Sequence, residues 1–443
     1  MLEAALERQY SASPAEGFFT AGGLHHFKNF ESSDDHRSVT VREAFARSVN
    51  LVFIRLMRDI ERYYMCRSGG ASADVLLNGS SRDRHQYLVR FADEEGRVFL
   101  RRFYRKYAGV TPAEALDELA RGRNWSPVRL AVVYRSVRPE ATVAEFTTFL
   151  RAHLRVPVQS NQFAALYQHY GSDKFNLADR GYLARVHPLE LWLIWYLTEH
   201  PRATFAEVVS ASADERQQSY AWLFRTHHKK AQNLRIRILM EEDAFKEIWH
   251  EWNRAGYPFE HLVPSYATAI GVSGDTPAAL AELLGIIVNG GMRYPHSAID
   301  QLRFAEDTPM ETVLRRQPGK GQGVLSAEVA ALVRRELIQV VINGTARRAC
   351  CGFARGDGSI VPLGGKTGTG DNRIKIFTSG GRLVGSRVAN RTAVFAFIIG
   401  DRFFGPVIVF VPGDAARNYE FSSSLPVQVF KDLEPTLRPL LQR

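Results

Sequence analysis

The chain is poor in cysteine, in long apolar runs and in any leader-like start, and each shortage excludes a class of protein. Three cysteines in 443 residues cannot build a disulfide framework. Cys350 and Cys351 are adjacent and poorly placed to bridge each other, and Cys66 is remote in sequence, so all three read as buried or free thiols. No zinc-ligand spacing is present; the histidine pairs His25-His26 and His227-His228 are adjacent rather than one helical turn apart. No stretch reaches the roughly 18 apolar residues that suggest a membrane span. The nearest, Leu191 to Leu197 and Ala393 to Ile399, fit a core helix and a core strand. Met1 to Arg8 has neither a basic n-region nor an apolar h-region, so it is no signal peptide. Internal repeats and low-complexity tracts are also missing.

What remains is an ordinary globular composition, 45% hydrophobic and 23% charged, in a chain long enough for two or three domains. Net charge is +10. Residues 81–235 hold 24 Lys/Arg against 16 Asp/Glu, so most of the excess lies in the middle of the chain. A basic surface there suits an anionic cell-wall polymer or a lipid surface. No nucleic-acid motif accompanies it, and no nucleic-acid partner is expected.

Three segments differ in pattern. In the first, Thr40 with Glu43 reads as a capping box opening a helix from Val41, broken at Ser48-Val49-Asn50 and resumed with Phe53, Met57, Ile60 and Tyr64 at helical spacing. In the second, Tyr87 to Phe91 and Val98 to Tyr104 read as strands, followed by helices, one capped by Thr111 and Glu114. In the third, helices opened by Thr276-Pro277 and Ser326 precede strands at Thr392 to Ile399 and Val407 to Val411, joined by the hairpin loop Gly400 to Gly405. Leu425 to Leu441 reads as a closing helix. The order predicts an α+β domain, an antiparallel sheet packed by helices.

The stretch Gly364-Gly365-Lys366-Thr367-Gly368-Thr369-Gly370 carries the chemistry. An ammonium and two hydroxyls on a glycine-flanked strand suit a carboxylate, and a missing side chain lets a ligand backbone lie against the strand. A phosphate-binding loop is excluded: its first glycine position is Ile360, and strands follow where a helix is needed. Gly271-Val272-Ser273-Gly274-Asp275 lacks the last glycine of a nucleophile elbow.

Lys366-Thr367-Gly368-Thr369 on a strand, Ser48-x-Asn50 between two helices, and Gly344-Thr345-Ala346 resemble, in that context, the transpeptidase domain of penicillin-binding proteins, most closely the class A, bifunctional type. Val41 to Asn50, Thr276 to Leu283, Asn289-Gly290-Gly291 and Asn390 to Phe395 add to the likeness, which covers about 1–67 and 245–443. The resemblance implies the penicillin-binding-protein/β-lactamase-like fold, divided here as 1–67 (N-terminal part), 68–245 (a large inserted helical or mixed subdomain) and 246–443 (C-terminal part). It implies acyl transfer from D-Ala-D-Ala stem peptides in peptidoglycan cross-linking, with stem peptides and β-lactams as partners and no cofactor or metal. Ser48 is then expected to relay a proton, Asn50 to bond the substrate amide, and Lys366 to supply charge. Thr367 and Thr369 would bind the carboxylate beside Gly368, with the Thr369 N–H in the oxyanion hole.

One part of the family pattern is missing: no serine in the chain has lysine three residues later, and Ser172-Asp173-Lys174 has the wrong spacing. The family's order puts Ser-x-x-Lys at or before Met1, with Leu2 to Glu7 as the tail of its helix, and puts a glycosyltransferase domain and anchor further upstream. The chain therefore reads as an N-terminally truncated part of a larger protein whose relatives sit in the inner membrane with this domain in the periplasm. The alternative is an inactive cell-wall peptide-binding or scaffolding module that keeps the carboxylate pocket.

Overall fold

In a computed structural model, which describes residues 1–20, 23–68, 75–76, 82–121, 125–155, 158–274, 276–317, 319–350, 352–354, 358–377 and 383–441, the chain divides into two units. One comprises Met1–Ser68 with Glu241–Arg443, the other Gly69–Met240.

The first unit is built on a three-stranded antiparallel sheet of β1 (Leu363–Phe377), β2 (Leu383–Ile399) and β3 (Phe403–Pro412), with β2 in the centre. β2 is central because its side chains are apolar on both faces. Ala396 and Ile398 pack with Leu284, Ile287 and Leu337, from α3 (Pro277–Val288) and α4 (Ala327–Asn343). Phe395 and Ile399 pack with Val427 and Phe430 of α5 (Ser424–Asp432). Burying such side chains gives about 1.5–3 kcal/mol each before the cost of ordering them. The β2–β3 turn is shorter than the expected loop, because pairing continues to Ile399 and Phe403 and Gly400 turns the chain at φ +58°. The closing helix is two helices, α5 and α6 (Glu434–Leu441).

Two helices bring the N-terminal segment to this unit. In α1 (Val41–Arg47) the Thr40 hydroxyl accepts from the Glu43 N–H at 3.1 Å, satisfying one of the free first-turn donors. Only this half of the expected capping box forms. The Glu43 carboxylate pairs instead with Arg37 at 2.6 Å and Arg47 at 3.6 Å. Ser48 ends α1 in the left-handed conformation (φ 59°, ψ 46°), and α2 (Asn50–Ser68) begins two residues later. Val39, Val41, Ala44, Val49 and Val52 bury together around this turn and hold it. Arg42 ties α1 to α4 through an ion pair with Glu336, a carboxylate only 4% exposed.

The second unit is helical throughout its described residues. Its longest wholly internal helix, Arg82–Tyr107, takes in both segments expected to be strands. Leu88, Phe91, Leu100, Phe103 and Tyr107 recur at three- and four-residue steps (or their sums) and are buried, so the helical stripe prevails over the Arg-rich alternation. Reciprocal capping boxes open three further helices, at Thr111 with Glu114, Thr142 with Glu145 and Thr204 with Glu207. Helix Lys229–Arg254 begins in this unit's sequence and ends in the other's. No helix among the described residues is long and apolar enough to cross a membrane.

One of the two described cysteines departs from expectation. Cys350 is held in a disulfide, not as a thiol. Cys66 is free and exposed, and Cys351 lies outside the described residues.

Candidate active site

Strand alternation and one left-handed turn assemble the site. On β1, Lys366 pairs across the sheet with Ala396, and Thr367 with Phe395, so their side chains leave by opposite faces. Lys366 therefore turns to the side covered by α3 and α4, where its ammonium donates to the Ser48 hydroxyl and to the Thr367 carbonyl at 3.2 Å. Ser48 is presented there by its positive φ, which few side chains adopt without support. The Phe45 ring lies 5.8 Å from the ammonium. Loss of hydration pushes the Lys366 pKa down to about 8, since a charged amine loses more than a neutral one on burial. An amine in that range carries charge at neutral pH and yields its proton readily.

Thr367 is buried. Its hydroxyl meets the Thr345 hydroxyl at 2.6 Å, and either can donate. Thr369 is exposed, and its hydroxyl oxygen accepts from the Ser423 N–H at 2.9 Å, which leaves its own proton free to donate outward. Of the two threonines, Thr369 is thus the one open to a carboxylate. Gly368 is exposed, and a Cβ there would meet nothing within 4 Å. The fold alone does not require glycine at that place. By contrast, a Cβ on Gly365 would come within 2.5 Å of the Phe395 ring, so that glycine serves packing.

Asn50 opens α2, and its amide nitrogen donates to the Lys28 carbonyl at 3.1 Å. It lies two residues beyond Ser48 but is engaged with the N-terminal loop. The expected residues therefore divide. Lys366 and Ser48 touch, Gly368 and Thr369 share the open part of the strand, and Thr367 is turned inward. Sequence reading assigned no role to Thr345 or Ser423. The signal available was Gly344-Thr345-Ala346, one of the stretches on which the family resemblance rests, and nothing marked Ser423. Among the described residues no cluster of His, Cys, Asp and Glu is set to hold a metal.

Residues 252–374 match the penicillin-binding protein transpeptidase domain model, a range that includes Lys366 to Thr369 and excludes Ser48 and Asn50. Penicillin-binding protein 1B of Escherichia coli K12 is 30% identical over 133 residues, which is 30% of this chain and 15% of that protein. Among solved structures, penicillin-binding protein 3 of Mycobacterium tuberculosis overlays with a TM-score of 0.30 at 18% identity, covering 46% of this chain and 48% of that one. The D,D-transpeptidase domain of an Eggerthella lenta peptidoglycan glycosyltransferase gives 0.29 at 16% identity, over 45% of this chain and 50% of that one. The transpeptidase domain of Burkholderia pseudomallei penicillin-binding protein 3 gives 0.28 at 18% identity, over 47% and 62%. The chain thus spans a small fraction of its curated relative and about half of the solved chains.

Proposed function

We propose that the first unit forms the substrate-holding wall of a peptidoglycan D,D-transpeptidase, a reading supported by the match of residues 252–374 to the penicillin-binding protein transpeptidase domain model. On this reading the helical unit is an insertion into that domain. The observation that carries the proposal is the Lys366 ammonium seated on the Ser48 hydroxyl, with Gly368 and Thr369 exposed two and three residues further along the same strand.

The chemistry follows from those groups. A stem peptide ending in D-Ala-D-Ala brings a carboxylate, which the Lys366 charge attracts and the Thr369 hydroxyl bonds. In acyl transfer a serine oxygen bonds to the penultimate D-Ala carbonyl carbon, the C–N bond to the last D-Ala breaks, and that amine takes up a proton. Ser48, bonded to Lys366, is the hydroxyl suited to relay that proton. An acceptor amine then displaces the serine and completes the cross-link. The family's attacking Ser-x-x-Lys does not occur in these 443 residues, so the chain by itself supplies binding and proton relay but no acylation.

The test uses the full chain with a fluorescent D-Ala-D-Ala-terminated peptide and a fluorescent penicillin. We expect saturable peptide binding that Lys366→Ala abolishes, and no penicillin band on a denaturing gel. Absence of peptide binding would overturn the carboxylate site. A covalent band would overturn the assignment of the nucleophile outside this chain.

A further inference from the structure

We infer that Gly344-Thr345 is a clasp that holds the Ser48 turn against the Lys366 strand, and that Thr345 is a positioning residue for the site. The inference rests on the reading of Lys366 and Thr369 as holders of a substrate carboxylate, and it adds a residue which that reading does not use.

The clasp has a backbone half and a side-chain half. Gly344 ends α4, and its α-carbon passes so close to α1 that a Cβ would lie 2.2 Å from the Ala46 carbonyl oxygen and 2.8 Å from that of Val340. The Thr345 N–H then donates to the Ala46 carbonyl at 3.2 Å, taking up an acceptor in the last turn of α1, two residues before Ser48. The Thr345 hydroxyl bonds the Thr367 hydroxyl at 2.6 Å, one residue beyond Lys366. Thr345 therefore grips both walls of the site at once: the helix end that presents Ser48 and the strand that presents Lys366. Ala346 is fully buried directly behind it, and its N–H returns to the Val340 carbonyl at 3.2 Å, so the clasp cannot swing as a free loop. At the other end of α1, the Arg42–Glu336 ion pair fixes the same two helices. With both ends of α1 fastened to α4, the Thr345–Thr367 bond sets how closely β1 lies to Ser48.

Removing the Thr345 hydroxyl while keeping its shape leaves the Ala46 link in place and the buried Thr367 hydroxyl without this partner. A buried hydroxyl without a partner is costly, so the strand relaxes toward water and the Lys366–Ser48 contact loosens. Serine at 345 keeps the hydroxyl and should keep the contact.

The experiment compares wild type, Thr345→Val and Thr345→Ser in the full chain. Lysine Nζ titration is followed by NMR with isotope-labelled lysine, the Lys366 signal being assigned through Lys366→Met. Affinity for a D-Ala-D-Ala-terminated peptide is measured alongside. In Thr345→Val the Lys366 midpoint should rise by roughly one pH unit toward an ordinary lysine, and peptide affinity should fall about tenfold. Thr345→Ser should match wild type in both. An unmoved Lys366 midpoint in Thr345→Val, or a Thr345→Ser variant that behaves like the valine, overturns the clasp. If Thr345→Val does not fold, Thr367→Val, which removes the other hydroxyl of the pair, takes its place with the same expected rise of the Lys366 midpoint, and an unmoved midpoint there overturns the clasp. If no variant binds peptide but the Lys366 midpoint moves as stated, the clasp stands and the carboxylate reading falls.

Discussion

The ammonium of Lys366 donates to the hydroxyl of Ser48, joining groups 318 residues apart in the chain. Burial holds this lysine at a pKa of about 8, against an ordinary 10.5. Between those values the unfolded chain keeps a proton that the folded chain has released, so stability rises with pH across that window. Below pH 8 both states are protonated, and the folded state bears the full cost of the buried charge, about 3 kcal/mol. Lys366→Met should therefore be more stable than wild type at pH 7, with the gap closing by pH 10.5. Urea unfolding at three pH values measures it; a gap that does not change with pH refutes the account.

Glu61 gives the opposite slope in acid. Burial raises its carboxyl to about 7, only partly countered by Arg62 and by the Tyr266 hydroxyl, which donates to it at 3.4 Å. The folded chain holds this proton between its ordinary 4.5 and 7, so the contribution is complete below 4.5 and fades as pH rises through 7. Glu61→Gln should remove that decline, worth on the order of 2 to 3 kcal/mol. The thermal midpoint of wild type relative to Glu61→Gln, followed from pH 5 to pH 8, should drop; parallel curves would refute it.

Ser423 acts through its backbone. Its N–H bonds the Thr369 oxygen, and its φ of −60° already suits a proline ring. Ser423→Pro should weaken D-Ala-D-Ala peptide binding about fivefold, because the Thr369 hydroxyl loses the bond that orients it. Ser423→Ala keeps the N–H and should bind as wild type does. Equal affinities for the two variants would remove Ser423 from the site.

Thr40→Ala removes the cap of α1 and should cost about 1 kcal/mol in denaturant unfolding. Glu43→Gln should leave that cap in place, because Thr40 receives the Glu43 backbone N–H while the carboxylate serves Arg37 and Arg47. A Glu43→Gln loss traced to fraying of α1's first turn would contradict this division.

Sequence patterns showed the site where its chemistry was local and continuous. Lys366 to Thr369 could be placed on a strand from the glycines around it and the apolar strands after it. Thr276, Ser326, Thr111 and Thr40 announced helix starts because a cap acts within three residues. Contacts that depend on packing were not legible. Thr345 meets Thr367 only because α4 and β1 lie side by side, and alternation along β1 turned Thr367 inward although its residue type suits a ligand. The helix Arg82–Tyr107 was misread as strands because its arginines and aromatics alternate over short windows. Its helical stripe emerges only over several turns.

The position of β1 in the sheet has a consequence for handling the protein. β1 pairs with β2 alone among the described strands, so its other side is a row of peptide groups able to accept a visiting chain. Any extended segment qualifies, including one from a second molecule. Past the site, Asp371 and Arg373 put opposite charges along the strand and discourage such self-pairing, whereas Gly368 to Gly370 carries no charge. That stretch is where an unliganded chain is most open to sticking to its own kind, and where a bound peptide would also act as a solubiliser.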